Sequence, residues 1–446
     1  MNISVVGAGH VGLVTGACFA DLGHRVVMVD NDVKRISALK RGVMPFYEPG
    51  LEELVARAVR ERRLTFTTSI KDGVAESTVI FIAVGTPQKP TGEADLTYVE
   101  NVAQSIAQHV TGYRLIVEKS TVPVQTGQWV AHTIKTHLKR KVPFDVASNP
   151  EFLREGTAIR DFMKPDRVVL GVESRRAKEL LYGLYKPLGA PIVVTDINSA
   201  ELIKHASNSF LSMKISFINA VAEICELAGA DVAQVAEGMG LDPRIGRPFL
   251  NAGVGFGGFC FPKDLEAFIK IAEQLGYDFE LLRAVRAIND RARHRFTEKI
   301  KQVLWVLKGK TVAVLGLSFK PDTDDMRYAP ALEVIRQLQT EGAQVRAFDP
   351  QAMGEARPLL PEVKLCKDAY DAARGADCLA VLTEWNEFKA LDFGRIKKLM
   401  RQPLVIDGRN LYDPGRMREL GFRYIGVGRG RTIRDEGTTS RPGRKG

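Results

Sequence analysis

Short apolar runs alternate with segments of helical periodicity in the first part of the chain. Runs rich in β-forming residues occur at 2–6, 25–30, 79–84, 114–120 and 145–148. Most are followed by a turn and a helix-like segment, the first of which extends from Val11 to Leu22. Strands that alternate with helices predict a parallel sheet with helices on both faces. We therefore expect an α/β fold here.

The spacing of apolar positions changes near residue 199. The next thirty or so residues carry apolar side chains at helical spacing without a strand-like run, which predicts one long helix. Further helical segments continue to about Lys308, and strand-like runs return at 310–325, 344–350, 376–385 and 404–413. The pattern predicts two Rossmann-like doubly wound domains joined by a long central helix and a helical dimerisation region.

These changes of pattern define four segments. We expect an N-terminal dinucleotide-binding domain at 1–198, a central helical domain at 199–308 and a C-terminal domain at 309–428. The last segment, 429–446, is basic and has no apolar periodicity, which predicts a disordered tail.

Composition excludes several classes of protein. No run of 18 apolar residues occurs, and no basic segment precedes an apolar core at the start, so we expect a cytoplasmic protein without a membrane span. The five cysteines are scattered and form no CxxC pair, which argues against a disulfide framework and against a metal cluster. The net charge of +10 is not accompanied by a nucleic-acid-binding motif, so we expect no nucleic-acid partner.

A glycine motif follows the first predicted strand. Gly7, Gly9 and Gly12 form GxGxxG at the start of a helix, and Asp30 ends the next strand at the distance expected of a ribose-binding acid. The alternative is that these are ordinary turn glycines. Asp30 favours NAD over NADP, whereas the nearby Arg35 favours the additional phosphate of NADP. The context predicts a dinucleotide-binding domain for NAD.

One cysteine lies in a glycine-rich stretch. Cys260 occurs within GVGFGGFCFPKD, at 253–264, where glycines permit close approach of a ligand and Lys263 favours a thiolate. The alternative is a buried cysteine that acts as a small apolar side chain. The stretch alone leaves both interpretations open.

An ordered set of motifs identifies a resemblance. The chain is similar to the nucleotide-sugar dehydrogenase family, in particular to its branch that acts on UDP-glucose, over roughly 1–425. The motifs are GAGHVGL, VGTP (84–87), STVPVQTG (120–127), NPEFLREGTA (149–158), PDRVVLG (165–171), NSFLSMKISFINA (208–220), GFGGFCFPKD (255–264), GLSFKPDTDDMR (316–327) and TEWNEF (383–388). The resemblance implies NAD-dependent oxidation of UDP-glucose at C6 to UDP-glucuronate, and a homodimer.

The resemblance also implies a covalent mechanism. Cys260 matches the nucleophile that forms a thiohemiacetal with the aldehyde and then a thioester, which water hydrolyses. Lys204 and Asn208, which lie on one face of the predicted helix, match the pair that stabilises the oxyanion.

Acid and base groups are implied in the same way. Glu151 matches the catalytic glutamate, and Asp264 with Thr121 matches the groups that hold the water. Residue spacing does not decide which of Glu151 and Asp264 performs most of the proton transfer.

The remaining candidates also come from the resemblance. Cofactor contacts beyond the glycine motif, Asp30 and Arg35 are Val11, Thr86, Thr121, Glu155, Lys263 and Arg327. Substrate contacts are Glu151, Phe152, Leu153, Arg154, Glu155, Lys204, Asn208, Arg244, Phe249, Leu250, Asn251, Ala252, Gly253, Gly257, Lys320 and Arg409. Arg244 matches a residue that reaches the active site of the neighbouring subunit, which is the basis of the expected dimer.

Two positions depart from the family pattern. Phe259 precedes Cys260 where the family usually has serine, and Gln125 stands where glycine is common. Two rival interpretations stay open: a sister enzyme that acts on GDP-mannose or a UDP-N-acetylhexosamine, and a non-catalytic NAD-binding scaffold. Phe259 favours the scaffold, whereas the intact set of candidate catalytic residues argues against it.

Overall fold

In a computed structural model of the chain, residues 1–430 are described. They form two compact units, Met1–Asn208 with Glu266–Asp278 and Ser209–Leu265 with the described residues from Phe279 on. Arg429, the first residue of the predicted tail, forms a hydrogen-bonded ion pair with Asp231. The rest of that tail, from 431 on, lies outside the described residues. The predicted division at 198, 308 and 428 stays a prediction.

The first unit contains eight strands and the helices that connect them. In chain order, these elements are β1 (Asn2–Val6), α1 (His10–Asp21), β2 (Arg25–Val29), α2 (Val33–Lys40), α3 (Leu51–Arg60), β3 (Leu64–Thr67), α4 (Ile70–Glu76), β4 (Val79–Ile82), α5 (Thr97–His109), β5 (Arg114–Glu118), α6 (Thr126–His137), β6 (Phe144–Ser148), α7 (Ala158–Met163), β7 (Val168–Val172), α8 (Arg175–Tyr185) and β8 (Ile192–Thr195).

The strands form one sheet in the order β3-β2-β1-β4-β5-β6-β7-β8. All neighbouring strands are parallel except β6 and β7, which pair antiparallel. The expectation of a purely parallel sheet was therefore wrong at this pair, because the apolar pattern of a strand does not encode its direction. Strands β3, β7 and β8 were not predicted either.

The order of the strands reverses beside β1. Strand β1 pairs with β2 on one side and with β4 on the other, so the loops after β1 and β4 lead away from each other. Apolar clusters cover both faces of the sheet and include Leu13, Phe19 and Phe81 on one face and Ile80, Ile82 and Ile106 on the other. In open α/β sheets, ligands bind at such a reversal point, outside the carboxyl ends of the strands.

Four helices follow, which the periodicity had grouped into the central region. They are α9 (Ile197–Ala228), α10 (Val232–Gly240), α11 (Cys260–Gln274) and α12 (Glu280–Leu304). The prediction of one long helix from about residue 199 is confirmed by the 32 residues of α9. Among residues 1–430, no helix combines the length and the apolar character that crossing a membrane requires.

The second unit contains a smaller sheet. Its elements after α12 are β9 (Thr311–Leu315), α13 (Pro330–Thr340), β10 (Gln344–Phe348), α14 (Met353–Leu359), β11 (Lys364–Leu365), α15 (Ala369–Ala373), β12 (Cys378–Val381), α16 (Asn386–Lys389), α17 (Phe393–Leu399), β13 (Leu404–Asp407), α18 (Pro414–Glu419) and β14 (Arg423–Gly426). The strand order is β11-β10-β9-β12-β13-β14, and every pair is parallel.

The second sheet resembles the first in topology but not in its loop after the first strand. Asp349, which follows β10, is fully buried and accepts hydrogen bonds from the backbone N–H groups of Leu317 and Ser318. The indole of Trp385 donates to the same carboxylate. Because this acid is fully buried and also accepts the backbone N–H groups of Gln351 and Ala352, it is not placed to bind a ribose. This geometry agrees with the absence of a full glycine motif here.

Candidate active site

The loop between β1 and α1 carries the three predicted glycines. Gly7 has a φ of +106°, and a Cβ at this position would lie 2.5 Å from the carbonyl oxygen of Ala83. A Cβ on Gly12 would lie 1.8 Å from the carbonyl oxygen of Gly7, whereas a Cβ on Gly9 would meet no atom within 4 Å. Tight packing therefore explains Gly7 and Gly12, and the space beside Gly9 at the start of α1 can admit a pyrophosphate.

Asp30 lies just beyond the end of β2. One carboxylate oxygen accepts hydrogen bonds from the backbone N–H of Ala8 at 2.8 Å and from the guanidinium of Arg35 at 2.9 Å. The other oxygen accepts the backbone N–H of Asp32. The acid is thus fixed beside the glycine loop, with lone pairs left for ribose hydroxyls. Because Arg35 is paired with Asp30, its charge is partly neutralised.

A buried ion pair connects two candidates from separate motifs. The Nζ of Lys204 lies 2.9 Å from Oε1 of Glu151, and the two residues are only 4% and 5% exposed. The other oxygen of Glu151 accepts the backbone N–H of Leu153. Lys204 also lies 5.4 Å from the ring centroid of Phe152. The sequence predicted a site role for both residues but not their ion pair.

A second buried lysine lies in this region and was not predicted. Lys119 donates to Oδ1 of Asn149 at 2.9 Å, and the hydroxyl of Tyr185 donates to the same oxygen. Burial lowers the pKa of Lys119 to about 7; the charge of Glu151 opposes the shift and that of Lys204 adds to it. In the sequence, the signal for Lys119 was the charged pair Glu118–Lys119 at the end of the apolar run of β5.

Two predicted cofactor contacts meet across separate loops. The hydroxyl of Thr86 donates to the carbonyl oxygen of Thr121 at 2.9 Å. The hydroxyl of Ser120 donates to the carbonyl oxygen of Val84 at 2.7 Å. These contacts join the loops after β4 and β5, where the strand order places a ligand.

The segment after β6 is held by a buried acid that was not predicted. Glu48 accepts hydrogen bonds from the backbone N–H groups of Gly156 and Ala158, and it bonds to the ring of His10. The guanidinium of Arg154 is turned toward Asp161, with which it forms a two-point ion pair. The backbone N–H of Arg154 also donates to Asp161, so the substrate contact at position 154 stays a prediction.

In the second unit, Cys260 is the first residue of α11. It is partly exposed, whereas the other four cysteines (Cys18, Cys225, Cys366 and Cys378) are buried, and burial raises the pKa of each of their thiols. The positive end of a helix favours an anionic sulfur. This placement supports the reactive interpretation of Cys260 over the buried one.

The glycines before Cys260 are required by close packing. Gly255 has a φ of +96°, and a Cβ on Gly257 would lie 2.3 Å from the carbonyl oxygen of Tyr328. The Asn289 amide accepts the backbone N–H of Phe256 and donates to the carbonyl oxygen of the same residue. The loop that precedes Cys260 is therefore rigidly held.

Phe259 contacts two predicted cofactor-binding cations. Its ring centroid lies 4.2 Å from the guanidinium carbon of Arg327 and 5.5 Å from the Nζ of Lys263. Lys263 also pairs with the buried Asp264, at 2.7 Å. The aromatic ring thus provides cation–π contacts at the position where the family usually has serine. This packing gives Phe259 a structural role beside two predicted cofactor-binding residues.

Several predicted substrate contacts line one cavity of the second unit. This cavity of about 160 Å³ includes Leu250, Asn251, Ala252 and Arg409. The lining residues that were not predicted are Val232, Ala233, Arg247, Glu384, Asn410 and Arg429. Two of these are arginines, and they and Arg409 are each paired with a carboxylate, so the positive charge of the cavity is partly neutralised. Arg247, Glu384 and Asn410 lie next to predicted residues or motifs in the sequence, whereas Val232, Ala233 and Arg429 do not.

Five other predicted substrate contacts of the second unit are not among the residues that line this cavity: Arg244, Phe249, Gly253, Gly257 and Lys320. Arg244 is exposed and pairs with Asp242. Lys320 lies 5.9 Å from the ring centroid of Phe319, and the N–H of Gly253 donates to Asn219. Their proposed ligand contacts stay predictions.

Comparisons with known proteins agree with this arrangement. Residues 1–189 match the NAD binding domain of the UDP-glucose/GDP-mannose dehydrogenase family, 198–291 its central domain and 313–414 its UDP binding domain. A UDP-glucose 6-dehydrogenase of Bacillus subtilis (strain 168) is 50% identical over 96% of this chain and 93% of its own length.

Solved structures agree as well. A UDP-glucose dehydrogenase from the hyperthermophilic archaeon Pyrobaculum islandicum has a TM-score of 0.90 and 42% identity, over 96% of this chain and 97% of that one. A UDP-D-ManNAc dehydrogenase from Pyrococcus horikoshii has a TM-score of 0.85 and 28% identity, over 96% of this chain and 100% of that one.

The dinucleotide-binding geometry and these relationships define an NAD-dependent oxidoreductase. The chain belongs to the UDP-glucose/GDP-mannose dehydrogenase family.

Proposed function

We propose that this protein oxidises UDP-glucose to UDP-glucuronate with NAD⁺, through a covalent intermediate on Cys260. The observation that carries the proposal is the buried Lys204–Glu151 pair in the unit that holds the dinucleotide loop. The 50% identical relative is named for UDP-glucose, whereas the UDP-D-ManNAc enzyme is only 28% identical. This difference favours UDP-glucose over the sister substrates.

The chemistry requires a nucleophile because an aldehyde must be oxidised as well as an alcohol. Bound NAD⁺ accepts a hydride in each of the two oxidations. Between them, the sulfur of Cys260 adds to the aldehyde carbon and forms a thiohemiacetal, whose oxidation gives a thioester. The Cys260 sulfur must not be oxidised to a disulfide if it is to act as a nucleophile, so we place the reaction in the reducing cytoplasm.

The oxyanions and protons need partners of their own. We assign Lys204 and Asn208 to the negative oxygen of the tetrahedral intermediates, because a preorganised cation and an amide donor stabilise such charge. Hydrolysis of the thioester adds water and releases the Cys260 thiol. Glu151 is one buried candidate for the base, and Asp264 in the second unit is the other.

The direct test is the stoichiometry of the reaction. The purified protein is given a known amount of UDP-glucose with excess NAD⁺, and we expect two NADH and one UDP-glucuronate per sugar. GDP-mannose and UDP-N-acetylhexosamines serve as parallel substrates. Turnover of one of those sugars instead would assign the sister function, and no turnover with any of them would support the scaffold interpretation.

Asp30 is expected to select the cofactor. Asp30→Ala should lower kcat/KM for NAD⁺ about 10- to 100-fold, because the ribose hydroxyls lose their acceptor, and should improve use of NADP⁺ once Arg35 is released. The matched control is Asp32→Ala, since Asp32 caps α2 without holding the glycine loop. Steady-state kinetics with both cofactors measure the ratio, and an unchanged preference in Asp30→Ala would contradict the assignment.

A homodimer is the second part of the proposal. Three aromatic or aliphatic side chains of α9 are spaced seven residues apart, and each is at least half exposed: Phe210 (58%), Phe217 (50%) and Ile224 (62%). Residues seven apart lie on the same face of a helix. An exposed apolar stripe of this kind suits the same stripe of a second copy.

Disrupting this stripe should produce a monomer. Phe217→Asp places a charge in the centre of the proposed interface, so light scattering after gel filtration should give half the mass of the wild type. Trp305→Asp alters another highly exposed apolar residue and is expected to stay dimeric. A dimeric Phe217→Asp variant, or a monomeric wild type, would contradict this interface.

A further inference from the structure

Two buried glutamates that have no assigned function lie against each other in the first unit. Glu118 ends β5 and Glu201 lies in the first turns of α9, and they are only 1% and 2% exposed. Neither oxygen of Glu118 accepts a hydrogen bond from the described residues, and its carboxyl lies within hydrogen-bond reach of Glu201. Glu201 in turn is near a third acid, Asp196.

Glu201 has a definite structural contact. Its two oxygens accept the backbone N–H groups of Gln125 at 2.7 Å and Gly127 at 2.9 Å. These N–H groups lie at the start of α6, where a helix provides no acceptor of its own. Gln125 has a φ of +76°, a left-handed conformation that disfavours a non-glycine residue. One turn along α9, the ring of His205 bonds to the carbonyl oxygen of Val122. Residues of helix α9 therefore form three hydrogen bonds with the loop 120–127.

The protonation of the pair follows from this arrangement. Two adjacent buried carboxylates that form no ion pair with any of residues 1–430 cannot both be ionised, so one proton must lie between them. Glu201 accepts two backbone N–H groups, which favours its ionised form. The shared proton therefore belongs to Glu118, which donates it to Glu201. Burial raises the pKa of both groups, that of Glu201 to about 7, and their mutual repulsion raises that of Glu118 further.

We propose that Glu118 and Glu201 share one proton and that this pair positions the loop 120–127, with Thr121, against the turns of α9 that carry Lys204. Glu118 donates its hydrogen to Glu201, and Glu201 fixes the start of α6. Both are positioning residues, which act through Thr121 and Lys204. The inference rests on the proposed roles of those two residues.

Two amide variants separate the roles of the pair. In Glu118→Gln, the amide N–H replaces the carboxyl O–H as the donor to Glu201, so the loop should keep its position. In Glu201→Gln, the amide nitrogen cannot accept the N–H that its carboxylate oxygen accepts, so the loop should shift. Glu53→Gln, on the exposed side of α3, is the control.

The first measurement detects the proton directly. The infrared spectrum of the wild type at about pH 8 should contain the carbonyl band of a protonated carboxyl, even though this pH is far above the ordinary pKa of a glutamate. Glu118→Gln should lose this band and Glu53→Gln should keep it. Burial also raises the pKa of Asp407. Any band from its carboxyl is the same in all three spectra and does not affect the comparison. A spectrum of Glu118→Gln that equals the wild type would overturn the shared proton.

The second measurement tests positioning without relying on sugar oxidation. NADH titration should give a Kd for Glu201→Gln about tenfold above the wild type, and one within about twofold for Glu118→Gln. If Glu201→Gln does not fold, Glu201→Asp, which is too short to hold both N–H groups, replaces it. Wild-type binding by the Glu201 variant would overturn the positioning role, whatever the sugar substrate proves to be.

Discussion

Cys260→Ala is expected to abolish the conversion of UDP-glucose to UDP-glucuronate, with kcat reduced by about 10³- to 10⁴-fold. Without the sulfur, the aldehyde has no covalent partner, and the thioester cannot form. The yield of NADH should therefore fall from two per sugar to at most one. Cofactor binding should be unchanged, because Cys260 is not among the predicted cofactor contacts. Burst and steady-state measurements of NADH formation give both quantities.

The matched control uses a cysteine that is not part of the proposed chemistry. Cys366 is buried beside β11, and its thiol lies 3.5 Å from the carbonyl oxygen of Lys364, a contact that a serine hydroxyl can replace. Cys366→Ser should keep both kcat and the NADH yield. If Cys260→Ala still formed two NADH per sugar, the covalent mechanism would be wrong even if the substrate were right.

Lys204→Met is expected to produce the second-largest effect. Removing a preorganised cation from an oxyanion site lowers kcat by about 10²- to 10³-fold. The same change removes the ion-pair partner of the buried Glu151, which lowers the free energy of unfolding by about 3–5 kcal/mol. Kinetics at saturating substrate and urea unfolding measure the two effects separately.

A double variant distinguishes catalysis from stability. Glu151→Gln removes the buried negative charge, so Lys204→Met/Glu151→Gln should recover much of the stability lost in Lys204→Met. Its activity should stay as low as that of the single variants, because neither the cation nor the carboxylate is present. Recovery of activity along with stability would mean that Lys204 acts only as a structural partner of Glu151.

The strands that were predicted correctly share one property. The apolar runs at β1, β2, β4, β5, β6, β9, β10, β12 and β13 are flanked by glycine or polar turns, so local pattern identifies them. Strand β8 is partly exposed and β11 has two residues, so neither has a long apolar run. The antiparallel pairing of β6 and β7 depends on where the chain returns to the sheet, and no local pattern carries this information.

The candidate site residues could be predicted where a chemically suitable residue lies within a recognisable sequence motif. Gly7, Gly12 and Cys260 belong to contiguous motifs that can be recognised in the sequence, although the atom that excludes a Cβ at Gly7 belongs to the distant Ala83. Lys119 and the Glu118–Glu201 pair were missed because buried charge is a property of the surroundings. Glu118 and Glu201 are 83 residues apart in the chain, and only the packing of α9 on the loop 120–127 brings them into contact.

The sequence by itself determined the two α/β patterns, the long helix, the dinucleotide motif and the family resemblance, because each depends on residues close together or on motifs in order. The tertiary structure decided which charges are buried and which groups pair across separate motifs. It paired Lys204 with Glu151, engaged Asp349 in its own loop and left Cys260 partly exposed. The physical reason is that desolvation and hydrogen bonding depend on neighbours that folding brings together from distant parts of the chain.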